Sequence, residues 1–149
     1  MVMSPTTTPV TRARVEGAMR KLGLIPFLGD QDQVAAILPS HVLRIVLPPD
    51  RPVQGIGEWS RVLDIRFAPQ AAEFTASFNA ATYLPKMATA VTDDGNIRFR
   101  LQHTFTWVAG ADDEQVDQEV AQFVMASLAA FTRLGERFPD RWAQEADDE

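Results

Sequence analysis

The sequence predicts an α+β domain built on an antiparallel sheet of about five strands, in the order α-β-β-β-α-β-β-α. Three observations carry this. Apolar residues recur at three- and four-residue steps in three separate stretches, as amphipathic helices require. Between them lie short runs with the period-two alternation of half-buried strands. Two strand groups punctuated by Pro, Gly and Asp alternate with covering helices, and there are too few residues for parallel crossovers, which favours α+β over a doubly wound sheet. The 149 residues are enough to bury a core, and 46% apolar with 23% charged residues is the composition of an ordinary globular domain.

The elements follow in chain order. Residues 1–10, rich in Thr and Pro, predict a flexible N-terminal arm. In 11–22, Val15, Ala18, Met19 and Leu22 share one helical face, with Thr11 as N-cap and Gly23 placed to end the helix. The other face carries Arg12, Arg14, Arg20 and Lys21, either a solvated face or a local basic patch. Strands are expected at 33–38 and 42–47, separated by Pro39-Ser40. The proline-rich stretch 48–57 is expected to be a loop, and Trp59, Leu63, Ile65 and Phe67 to mark a third strand. Pro69 suits the first turn of a helix running to about Tyr83, and Pro85 stops it. Residues 86–92 and 97–108 flank Asp93-Asp94-Gly95-Asn96 and predict a hairpin, with Ile97, Phe99, Leu101, Phe105 and Trp107 on one face of its second arm. The last helix begins near Asp112 or Asp113 and repeats Val116, Val120, Phe123, Val124, Leu128, Phe131 and Leu134. Beyond Gly135 the period is lost. Phe138 and Trp142 are expected to dock locally and 143–149 to form an acidic tail, which leaves 11–142 as one domain.

Composition argues against several functions. A net charge of −6 disfavours nucleic acid and anionic lipid as partners. No apolar run reaches the roughly 18 residues of a membrane span, and the N-terminal stretch lacks the apolar segment of a secretory signal. A cytoplasmic protein without a membrane partner is therefore expected. The absence of cysteine removes disulfides, thiolate metal sites and cysteine nucleophiles together.

The remaining chemistry is sparse, and no catalytic, cofactor-binding or metal-binding set assembles. His41 and His103 have no metal-ligand spacing. His103 continues the apolar face of the last strand, where a hydrogen-bonded, half-buried histidine is expected, and His41 is expected to be exposed in a turn. The acids Asp112, Asp113, Glu114, Asp117 and Glu119 crowd a helix start, where capping and the helix dipole account for them. Asp30-Gln31-Asp32 begins like a calcium loop, but Ala35 stands where glycine is needed. Turn chemistry explains Asp93 and Asp94, no serine lies in a GxSxG elbow, and no phosphate-cradling glycine motif occurs. No cofactor is expected.

Around the second helix and the hairpin, the run FNAATYLPKMATAVTDDGNIRFRLQ at 78–102 resembles the YbjN family of small bacterial proteins. Asn79, Pro85, Lys86, Asp93, Asp94 and Gly95 match its pattern: an Asn near a helix end, a short spacer, a basic residue, and a strand leading to an acidic turn with glycine. The predicted element order extends the resemblance over about 11–138, and the proline-rich loop departs from it. The resemblance implies a fold similar to type III secretion chaperones, commonly dimeric, in a family of bacterial sensory transduction regulators. It supplies no catalytic residue. By their own chemistry, Asn79 would cap or cross-link backbone, Pro85 redirect the chain, and Asp93 to Gly95 turn the hairpin.

A non-enzymatic binding, chaperone-like or regulatory module is therefore expected, as a homodimer that holds a protein or peptide partner on a sheet edge or in a helix groove. The alternatives are a small-molecule enzyme with a dispersed site, for which Glu58, Arg100 and His103 are the polar candidates, and a structural subunit of a larger assembly.

Overall fold

Side-chain caps and one glycine set the ends of the helices. The computed structural model describes residues 8–29 and 32–140. Helix α1 (Arg12–Lys21) starts where the Thr11 hydroxyl accepts the Arg14 N–H at 3.3 Å. It ends at Gly23, whose φ of +82° lets its N–H reach the Arg20 carbonyl while the Leu24 N–H reaches that of Met19. Helix α2 (Ala68–Ala81) follows a 3-10 turn at Ile65–Phe67, capped by Asp64 accepting the Arg66 N–H at 2.9 Å. Helix α3 (Asp113–Arg137) starts at Asp112, which accepts the Gln115 N–H at 2.7 Å.

Among the described residues, seven strands form one antiparallel sheet: β1 (Phe27–Leu28), β2 (Gln33–Ile37), β3 (His41–Val46), β4 (Gln54–Trp59), β5 (Leu63–Asp64), β6 (Lys86–Val91) and β7 (Asn96–Thr104). The spatial order is β1-β2-β3-β4-β7. Strand β6 takes the far edge of β7, and β5 lies on its near edge, in line with β4. The α+β class and its antiparallel sheet agree with the sequence-based expectation. At the hairpin tip Gly95 sits at φ +78° with its N–H on the Thr92 carbonyl at 3.0 Å, the geometry of a three-residue turn closed by a left-handed glycine.

Several boundaries differ from those the sequence suggests. Residues 54–57, expected in a loop, belong to β4, because their two glycines make room for a helix rather than relaxing a turn. The expected third strand is broken: Trp59 ends β4, Leu63 and Asp64 form β5, and Ile65 to Phe67 coil into the 3-10 turn once Asp64 caps it. Helix α2 stops at Ala81 instead of Tyr83, since Thr82 is already extended and Pro85 disfavours helix just before it. Strand β7 ends at Thr104, although Phe105 and Trp107 remain buried beyond it. Helix α3 passes Gly135 and runs to Arg137, and the Phe138 N–H bonds the Leu134 carbonyl at 3.0 Å. The short β1 has no counterpart among the expected strands. Thr8 to Val10, the described part of the expected arm, lie against the fold, with the Ala111 N–H on the Thr8 carbonyl at 2.9 Å. Trp142, the acidic tail, and Asp30 and Gln31 lie outside the described residues.

The helices α1, α2 and α3 cover one face of the sheet. Val15, Ala18 and Met19 of α1 join Val34, Ala36, Leu43 and Ile45 with the first half of α3. Ala71 and Phe78 of α2 join Met87, Ile97, Phe99 and Leu101 with its second half. The two clusters meet where α3 crosses β4. There a Cβ added at Gly55 would lie 2.8 Å from the Phe123 ring, and one at Gly57 would lie 3.1 Å from the Phe131 ring. Gly55→Ala is therefore expected to destabilise by about 1–3 kcal/mol through overpacking. Gly17→Ala, in α1 with no atom within 4 Å of the new Cβ, should instead stabilise by about 0.5–1 kcal/mol. Urea midpoints of the two variants against the parent measure both signs.

Candidate functional site

The family-pattern residues of 78–102 meet where α2 hands over to β6. The Asn79 carboxamide forms both hydrogen bonds of a strand residue: its Nδ2 donates to the Met87 carbonyl at 2.9 Å, and its Oδ1 accepts the Met87 N–H at 2.8 Å. Each is worth about 1 kcal/mol net. The Lys86 ammonium donates to the Asn79 and Thr82 carbonyls at 2.9 and 2.6 Å, covering the exposed end of the helix where a cation also suits the dipole. Pro85, joined to Leu84 by a cis peptide, lies in the connection between helix and strand. Asp94 accepts from the Thr92 hydroxyl, which pulls its carboxyl below the usual range, and Asp93, Asp94 and Gly95 form the hairpin tip.

That clamp fixes which backbone groups face outward from β6. In an antiparallel ladder, alternate residues direct N–H and C=O to opposite sides. Thr92 bonds Asn96 of β7, and Met87 bonds Asn79 on the other side, so Met87, Thr89 and Val91 point away from β7. Asn79 satisfies the first of these. No described group hydrogen-bonds the outward backbone of Thr89 or Val91, and residues 88–91 are exposed. Among the described residues, the edge strand thus offers two open donors and two open acceptors beside exposed Tyr83 (87%) and Val91 (63%).

The histidines fall elsewhere. His41 is not exposed in a turn as the sequence suggests: it opens β3 at 0% exposure, facing α3, because the strand begins one residue earlier than expected. Its ring lies 4.6 Å from that of Phe131, with the Ser40 hydroxyl 2.8 Å from Nδ1 and the Ser127 hydroxyl 3.4 Å from Nε2. Ser127 donates its proton to the Val124 carbonyl at 2.8 Å, so toward His41 it can only accept; that assigns the ring proton to Nε2. A base in that form does not activate Ser127, and both residues are sealed from solvent. His103 faces the core between Phe105 and Phe123, its Nδ1 buried without the expected hydrogen-bond partner among the described residues. Glu58 and Arg100 are cross-strand neighbours on the sheet face opposite α1, α2 and α3, where Glu58 pairs with Arg44. The three polar candidates for an enzyme therefore do not converge.

The two charge runs answer each other. Arg14 pairs with Asp113 at 3.0 Å and Lys21 with Asp117 at 2.6 Å, tying α1 to α3, while Asp112 caps α3 and Glu119 accepts from the Trp107 indole. Among the described residues no three His, Asp or Glu side chains gather as a metal site, and no helix is long and apolar enough to cross a membrane.

A family model described as "YbjN: Putative bacterial sensory transduction regulator" matches residues 11–136. The chain belongs to the YbjN family. A solved structure, "Crystal structure of YbjN, a putative transcription regulator from E. coli", is similar with a TM-score of 0.69 at 16% identity, over 89% of this chain and 97% of that one, a likeness of fold. No curated protein matches the sequence. In this member of the YbjN family, residue pattern alone does not reveal the open β6 edge, because that edge depends on where Asn79 directs its hydrogen bonds. The burial of His41 is equally hidden, since a histidine beside Pro39-Ser40 carries a turn's signature.

Burial pushes the His41 pKa down from 6.5 to about 4. The unfolded chain then takes up a proton that the fold resists, so this contribution is complete above about pH 6.5 and is lost as pH falls toward 4. Its ceiling is on the order of 3 kcal/mol. Burial lowers the His103 pKa as well, in the same direction. Urea unfolding at pH 7 and pH 5 should show weaker stability at pH 5, with a smaller difference in His41→Phe; an unchanged difference would exclude His41 as its source.

Proposed function

We propose that this chain is a non-catalytic regulatory module that acts by protein association, and that its partner across β6 is a second copy of itself. One observation carries this: the outward N–H and C=O groups of Thr89 and Val91 meet no described partner on an exposed edge. Natural sheets blunt such edges with inward charges, prolines, bulges or a covering element. From Ala88 to Val91 this edge has none of them among the described residues.

A two-fold axis through Ala90 would set Thr89 of one copy against Val91 of the other, twice over, and use every open group in four hydrogen bonds. The same register brings the Lys86 end of each strand toward the Asp93-Asp94 end of its neighbour, placing opposite charges near each other. Parallel pairing would put like ends together. Association of this kind needs no reacting group, in keeping with the scattered titratable residues and with the regulator description of the family.

Light scattering at high micromolar concentration should give twice the 16.5 kDa chain mass. Thr89→Pro removes one outward N–H and no bond to β7, so it should melt nearly as the parent does when both are dilute and stay monomeric at high micromolar concentration. Val91→Lys should act in the same direction. A parent protein that stays monomeric, or a folded Thr89→Pro variant that stays dimeric, overturns the proposal.

A further inference from the structure

Across β7 from the β6 edge, beside β5, the 3-10 turn, the start of α2 and the end of α3 line a groove of about 610 Å³. Arg61, Arg66 and Arg137 line it, and each guanidinium lies over an aromatic ring: Arg61 is 4.7 Å from the Trp59 centroid, Arg66 5.0 Å from Phe67, and Arg137 4.8 Å from Phe138. A ring beneath a guanidinium holds its plane and leaves its N–H edge available. Arg61 uses one donor on the Phe138 carbonyl at 2.7 Å. None of the three forms an ion pair with a described carboxylate, in a chain whose net charge is −6.

Asp64 and Asp140 also line the groove, but Asp64 turns an oxygen onto the Arg66 backbone N–H. The adjoining start of α2 has no side-chain cap, which adds to the positive potential there. Phe67 and Phe138 supply apolar wall between the arginines. Fork-shaped donors arriving from three positions match a tetrahedral dianion with three free oxygens better than a planar carboxylate. We propose that this groove binds a small organic phosphate, its phosphoryl oxygens taken by Arg66, Arg137 and the remaining donors of Arg61, and its apolar body resting against Phe67 and Phe138.

Calorimetric titration with phenyl phosphate, inorganic phosphate and phenol tests this on the full chain. Phenyl phosphate should bind saturably, inorganic phosphate more weakly, and phenol not measurably. Arg66→Gln and Arg137→Gln, both at exposed positions, should each weaken phenyl phosphate by about tenfold, the loss expected for one charge-assisted contact. Arg133→Gln, outside the groove on α3, should bind like the parent, and melting curves establish that every variant is folded. Absence of saturable phenyl phosphate binding, or folded Arg66→Gln and Arg137→Gln variants that bind as the parent does, overturns the proposal. Neither outcome depends on pairing at β6.

Discussion

The fold depends on the close seat of α3 on β4. Two glycines, Gly55 and Gly57, leave the strand without side chains where Phe123 and Phe131 press on it, so one long helix reaches both core clusters. Ser127 lies between those two aromatics along α3, and its hydroxyl returns to the helix backbone. The neighbouring His41 is enclosed with it, and burial keeps its ring neutral. A bulkier residue on β4 would lift the helix and open both clusters together. Because the helices are committed to this one face, the sheet's other face and its β6 edge are left open among the described residues.

Satisfying backbone groups is the second constraint, and it separates structure from function along a single strand. Asn79 completes the outward pair of Met87, and Lys86 covers the carbonyls at the end of α2, so the handover from helix to strand leaves little unpaired. Two residues later nothing comparable exists among the described residues. An edge closed at Met87 and open at Thr89 and Val91 has a defined length and a defined register, as a specific pairing surface needs.

The sequence is informative wherever local chemistry decides the outcome. Thr11, Gly23, Asp112 and the Asp93-Gly95 turn act through their own backbone, and each stands where its residue type predicts. Alternation along β7 and the three- and four-residue steps of α3 are visible because burial on one face writes a period into the chain. Gly55 and Gly57 mislead, since a glycine that yields space to a distant helix looks the same as one that relaxes a loop. Long-range partners explain the rest: Asn79 and Met87 are eight residues apart, Ser127 and His41 eighty-six, and Arg61 and Phe138 seventy-seven. No local pattern encodes those meetings.

Amide hydrogen exchange along β6, measured at low and at high protein concentration, tests the central claim most directly. Met87, Ala88 and Ala90 are expected to be protected under both conditions, by Asn79 and by β7. Thr89 and Val91 should exchange freely when dilute and become protected as copies pair. Thr89 and Val91 amides that exchange freely at every concentration, or that are already protected in the dilute monomer, would contradict it.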